Sequence, residues 1–76
     1  MTTSEQLRAA RAMIGLSQAD LARMTGRTEK TIRRAETEVS QVADDTAAAI
    51  RAALEAAGVE FLDPNGGGPG VRLAKP

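Results

Sequence analysis

Between Ser17 and Glu36 the sequence reads SQADLARMTGRTEKTIRRAE, two short helical periods that meet at a glycine. Helices over roughly Ser17 to Thr25 and Glu29 to Thr37 place Leu21, Ala22, Met24, Ile32 and Ala35 on inward faces, so the spacing predicts a packed helix pair. The intervals have steric reasons. Counted from Gln18, Ala22 stands four residues on, Gly26 eight and Ile32 fourteen. Ala22 is small where the second helix must approach closely, and Ile32 fills the gap between the helices. Gly26 can take the positive φ that ends one helix inside a tight turn. Ser17 and Thr28 can each cap a helix by accepting from backbone N–H groups two or three residues on.

Charge gathers on this stretch. Arg27, Lys30, Arg33 and Arg34 stand against Glu29 alone, a local excess of three positive charges (four minus one). From Asp44 onward, Asp44, Asp45, Glu55, Glu60 and Asp63 outnumber Arg51, Arg72 and Lys75. The formal net charge is zero, ten basic against ten acidic residues, which argues against a chain that coats nucleic acid indiscriminately.

At 76 residues the chain is one domain near the lower size limit at which a hydrophobic core suffices. Much of its apolar content is alanine and Phe61 is its one aromatic, so closely approaching helices must supply the core, with no large ligand cavity. There is no cysteine, which fits a reducing cytoplasm. MTTSEQLRAARAM lacks an apolar run of the kind a targeting segment needs, and nowhere do about 18 apolar residues run together. The expectation is a soluble, cytoplasmic protein with no membrane association.

Ahead of the helix pair, Glu5 and Gln6 follow Thr2 and Thr3 by three residues, a capping-box arrangement that starts a first helix. Leu7, Ala10, Met13 and Ile14 form its inward stripe, Gly15 closes it, and Leu16 plugs the next junction. Arg11 falls at the edge of that stripe, and a half-buried arginine needs a partner. After Thr37, EVSQVADD reads as a loop crossing the domain, anchored by Val39 and Val42. Asp44 or Asp45 then caps a long helix from about Thr46 to Ala57, ended by Gly58, whose Ala47, Ile50, Ala53, Leu54 and Ala57 form a core-facing stripe.

The remainder, GVEFLDPNGGGPGVRLAKP, changes character: Val59 to Leu62 and Val71 to Leu73 suit short strands around turn chemistry. Three readings stand for it: a β-hairpin, a strand that pairs with a second subunit, or a disordered tail. The glycine run lacks a lysine and Ser/Thr in P-loop spacing, against a nucleotide site. The expected fold is mainly α, a compact bundle of four helices with a short C-terminal β-hairpin or strand tail. Residues 1–58 form the helix-turn-helix unit, and 59–76 a glycine-rich tail; the tail and the last helix are the two surfaces that could serve dimerisation.

On SQADLA, the turn Gly26 and TIRRAE, the chain resembles the lambda-repressor-like (Cro-like) helix-turn-helix DNA-binding family, more loosely from about Gln6 to Ala57. Typical members end in a fifth helix, so the tail departs from the pattern. The resemblance implies that the second motif helix enters the major groove of double-stranded DNA. By matching position, Glu29, Lys30, Thr31 and Arg34 are expected at bases. Arg34 or Lys30 suits guanine O6 and N7, Glu29 the cytosine amine and Thr31 a thymine methyl. Gln18 is expected at a phosphate, with Ser17, Arg27 and Thr28 near the same strand and Arg33 on the backbone beside it. The resemblance also pairs Arg11 with Glu36, a structural ion pair tying the recognition helix to the first helix.

A unit this small reads only a few base pairs, so useful specificity implies a homodimer on a palindromic site. The expectation is a transcriptional regulator, a repressor that occupies promoter DNA without a cofactor. With no His, Cys or Tyr and with carboxylates taken up by caps and surface, catalysis is not expected. The runner-up is a protein-interaction module on the same fold, as in an antirepressor or co-regulator, or the antitoxin of a toxin–antitoxin pair.

Overall fold

Side-chain caps set where the first three helices begin. In the computed structural model, which describes residues 2–74, Thr3 Oγ1 accepts the Gln6 N–H at 3.1 Å while Gln6 Oε1 accepts the Thr3 N–H at 2.9 Å. This reciprocal box opens α1 (Ser4–Met13). Ser17 and Asp20 repeat the device at α2 (Gln18–Thr25), at 3.0 and 2.9 Å. Thr28 opens α3 (Glu29–Thr37) by accepting the Thr31 N–H at 3.1 Å. Met1, Lys75 and Pro76, at the ends of the two expected segments, lie outside the described residues.

The fourth helix corrects the expectation. It runs Asp44–Ala56, starting before Thr46, and Ala43 occupies its cap position with no side-chain cap bond. Asp44 and Asp45 sit inside the first turn instead, where a carboxylate still interacts favourably with the positive end of the helix dipole. The preceding segment is also more regular than a loop. Val39–Gln41 form one turn of 3₁₀ helix, held to α1 where buried Ser4 accepts the Val39 N–H at 2.6 Å.

Each α-helix, and then the segment after the fourth, contributes a small share of one core: Leu7 and Ala10, Leu21 and Ala22, Ile32 and Ala35, Ile50 and Leu54, then Val59 and Phe61. Full burial of a leucine or isoleucine contributes about 1.5–3 kcal/mol, and the alanines let the helices approach closely enough to achieve it. Ile14, Leu16, Val39, Val42 and Ala53 pack around its rim. Met24 and Met13, expected inward, are instead 49% and 44% exposed. At 100° per residue each lies about 100° from the centre of its helix's buried face, beyond the narrow contact that a helix of this length makes. Ala57, past the end of α4, is exposed too.

The C-terminal segment folds back within the same chain. β1 (Val59–Leu62) and β2 (Gly70–Leu73) pair antiparallel, Val59 opposite Leu73 and Leu62 opposite Gly70, so of the three readings the hairpin is the one observed. Its open connection is gripped by Gln6, whose buried amide donates to the carbonyls of Leu62 (3.1 Å) and Gly70 (3.0 Å). Across the strands Arg72 forks onto Glu60 at 2.9 and 3.0 Å. The architecture is thus mainly α, four helices closed by a two-stranded hairpin. Among the described residues no helix is long and apolar enough to cross a membrane.

Candidate nucleic-acid interface

The turn between α2 and α3 is built by Gly26, at φ 66° and ψ 24°. Its left-handed backbone lets the Arg27 N–H reach back to the Ala22 carbonyl at 3.0 Å, a Schellman closure that satisfies the helix end and redirects the chain. Thr28 restarts it. The two helices therefore meet at a fixed angle, with Leu21 and Ala22 facing Ile32 and Ala35 across the core.

That geometry leaves one side of α3 in water. Glu29, Lys30, Arg33 and Arg34 are exposed and Thr31 is half-buried, while Ile32, Ala35 and Glu36 face inward. Among the described residues none of Lys30, Arg33 and Arg34 forms an ion pair. Lys30, Arg33, Arg34 and Thr37 line a shallow concavity of about 240 Å³, joined by Gln41 from the 3₁₀ turn. Gln41 was not among the expected site residues. Its only sequence signal is a polar side chain shortly after the recognition helix.

Behind this surface sits a buried carboxylate. Glu36 is 3% exposed, and Arg11 approaches it with two nitrogens, Nε to Oε2 at 2.6 Å and a terminal nitrogen to Oε1 at 3.0 Å. The carboxylate raises the Arg11 pKa above its ordinary value, chiefly through that hydrogen bond. Arg11 also donates to the Leu16 carbonyl at 3.1 Å, and Arg8 donates to the Glu36 backbone carbonyl. A planar guanidinium meeting a carboxylate through two bonds fixes direction as well as distance, so the last turn of α3 is oriented against α1.

The remaining expected contact residues are placed unevenly. Ser17 stands exposed at the amino end of α2. Gln18 is half-buried and turns toward Glu36, its Nε2 donating to Oε1 at 3.1 Å; its second amide hydrogen is left for another acceptor. Arg27 folds back onto the Thr25 carbonyl at 2.9 Å, using one of five donors. The Thr28 hydroxyl, besides capping, donates to the Thr31 hydroxyl at 3.0 Å, so the Thr31 oxygen is engaged locally. At the same helix start Asp20, held by the Ser17 N–H and then by Arg23, has its carboxyl below the ordinary range.

A helix with its side chains is about 10–12 Å across, the width of a B-DNA major groove. The exposed face of α3 offers donors for guanine edges and phosphates, and one acceptor, Glu29, for an amine. No curated protein matches the sequence. A sequence profile of a helix-turn-helix family of the Cro/C1 type matches residues 7–61, running from α1 through the helix pair and into β1 as far as Phe61. The chain belongs to that family, whose members are DNA-binding regulators.

Proposed function

We propose that this chain is a sequence-specific, cytoplasmic transcriptional regulator, a repressor that binds a palindromic double-stranded operator as a homodimer. The observation that carries the reading is the exposed face of α3, where Lys30, Arg33 and Arg34 form no ion pair among the described residues, on a helix tied from behind through Glu36. In this reading Glu29, Lys30, Thr31 and Arg34 meet base edges, and Ser17, Gln18, Arg27, Thr28 and Arg33 meet phosphates. Phosphate contacts set register and affinity, and base contacts set sequence preference. The Arg11 and Glu36 pair serves neither directly; it holds the reading helix still. A formal charge of zero favours a second reading, a protein partner docked on the same face.

Selection from a random duplex library followed by fluorescence anisotropy on the winning site tests this. A palindromic winner is expected, with Arg34→Ala relaxing preference at one position. If nothing is enriched and binding stays weaker than about 10⁻⁵ M at physiological salt, the range of non-specific association, the DNA reading fails and a protein partner takes its place.

A further inference from the structure

The segment that joins the two strands is bound only at its root. The ladder ends at the pair of Leu62 and Gly70, and Gln6 holds both of their carbonyls. From Asp63 to Pro69 every residue is exposed, and among the described residues no backbone hydrogen bond reaches Asn65 or Gly66. The side-chain bonds made to the hairpin are those of Gln6 and of Arg72 to Glu60, and neither touches the Asn65 amide. Asn65 also lines a hollow of about 460 Å³ with Phe61, Asp63, Gly67 and Gly68, so its side chain has room to turn. It is the chain's one asparagine, and a glycine follows it.

We propose that Asn65 is a site of spontaneous deamidation, at which the folded chain converts its own side-chain amide to a carboxylate. The Gly66 backbone nitrogen attacks Asn65 Cγ. As the N–Cγ bond forms, the Cγ–Nδ2 bond breaks, and the side-chain nitrogen leaves as ammonia with the proton that Gly66 gives up. The product is a cyclic imide, which water then opens. Cleavage at Cγ leaves aspartate; cleavage at the backbone carbonyl leaves isoaspartate, in which the main chain runs through the former side chain. No atom is oxidised or reduced, and water is the sole co-reactant.

The fold leaves this position reactive. An asparagine inside a helix or ladder must first break backbone hydrogen bonds to bring the next nitrogen onto Cγ, whereas the Gly66 N–H is held by no carbonyl. Gly66 stands at φ 84°, and a Cβ built there would meet nothing within 4 Å. Neither a side chain of its own nor a neighbour therefore crowds the attacking nitrogen. The same geometry confines the damage. Isoaspartate lengthens the main chain by a methylene, and either product adds a negative charge close to Asp63. Both changes fall beyond the Gln6 clamp, in a connection with no ladder to disturb, so Val59 and Phe61 keep their places in the core. The proposal is independent of the DNA reading.

Full-length protein held at mildly alkaline pH, either folded or in urea, tests it. Trypsin releases residues 52–72, and mass spectrometry follows the gain that accompanies exchange of NH₂ for OH. Conversion in folded protein should run within about threefold of that in urea, because a loop without backbone bonds opens at almost no cost. An isoaspartyl methyltransferase should label the product. Asn65→Gln should abolish mass gain and label together, since the longer side chain must close a less favourable ring, and Gly66→Ala should slow both several-fold. The more acidic form, separated by ion exchange, should melt with unmodified protein. The proposal is overturned if folded protein stays unchanged while the urea-unfolded chain converts, or if the Asn65→Gln protein gains mass and label equally. A modified form that melts well below the unmodified one would overturn the confinement by Gln6.

Discussion

Gln18 Nε2 donates to Glu36 Oε1 at 3.1 Å, joining the first residue of α2 to the last turn of α3. With the Arg11 fork on the same carboxylate, three helices converge on one buried group. The residue expected to hold a phosphate is therefore also part of the scaffold that aims the recognition helix. A change at Gln18 acts on both.

The first prediction concerns that carboxylate. Removing one partner of a buried pair leaves the other uncompensated and costs about 3–5 kcal/mol. Arg11 keeps 23% of its side chain in water and can partly rehydrate, so Glu36→Ala should fall near the lower end. At about 4–8 °C per kcal/mol for a domain of this size, the loss is visible in any thermal melt. Arg11→Met with Glu36→Met should cost less than the two single changes together. A Glu36→Lys protein that melts with wild type would remove the structural role.

Gln6 makes a different kind of link, across most of the chain. It satisfies the start of α1 and holds both carbonyls at the hairpin's open connection. Gln6→Leu should destabilise by about 1–3 kcal/mol, since it strips partners from groups that stay largely buried. Amide hydrogen exchange at Leu62 and Gly70 should accelerate well beyond that in α2 and α3. Uniform acceleration throughout would mean that the clamp is not local.

These two links mark the limit of what was legible from sequence. Caps and turns were readable because their chemistry is local: Thr3, Ser17, Thr28 and Gly26 act within a few residues of themselves. Periodicity found the core positions Leu7, Ile32 and Leu54 for the same reason. It misjudged Met13 and Met24, because a periodic stripe says which side is inward and not how wide the contact is. The Gln6 amide meets partners 56 and 64 residues away, and no pattern within a helix encodes that. Gln41 joined the basic concavity only because its segment closed into a 3₁₀ turn where a loop was expected. Thr28 and Thr31 were legible as position, but their hydroxyl contact was not.

Gly26→Ala isolates backbone strain. A Cβ built there meets nothing within 4 Å, so the cost is that of holding a side chain at φ 66°, about 1–2 kcal/mol. Gly26→Asn should cost less, because asparagine tolerates the left-handed region better. Denaturant midpoints give the order directly, and an alanine variant as stable as wild type would show that the turn relaxes to another closure.

Acid should weaken the fold through two surface carboxylates. Ser17 and Arg23 hold Asp20 below its ordinary 3.8, and Arg72 holds Glu60 below 4.5. A depressed folded pKa means that the unfolded chain binds the proton first. The stabilisation is therefore complete above the ordinary values and is lost as pH falls through the lower folded ones. Melting temperature should thus drop as pH falls below about 4.5, and Asp20→Asn with Glu60→Gln should flatten part of that drop. Both groups are exposed, so the effect is small. A double variant whose acid limb follows wild type would place the sensitivity elsewhere.

On DNA, the two classes of contact predict two signatures. A phosphate contact releases condensed counterions, so losing Arg33 should lower affinity for every sequence alike and reduce the slope of log K against log salt by about 0.9. Losing Arg34, read as bidentate on guanine, should cost about 1–3 kcal/mol on the preferred site, with a smaller penalty on sites altered at that one base. Gln18→Ala tests the overlap identified above. Gln18 carries no charge, so its loss should weaken all sites while leaving the salt slope nearly unchanged. The melting temperature should fall as well, because a hydrogen bond to the buried Glu36 carboxylate goes with it. If Gln18→Ala weakens DNA binding without any change in melting, its phosphate role is separable from the scaffold. If melting falls and affinity for folded protein is unaffected, Gln18 belongs to the scaffold alone.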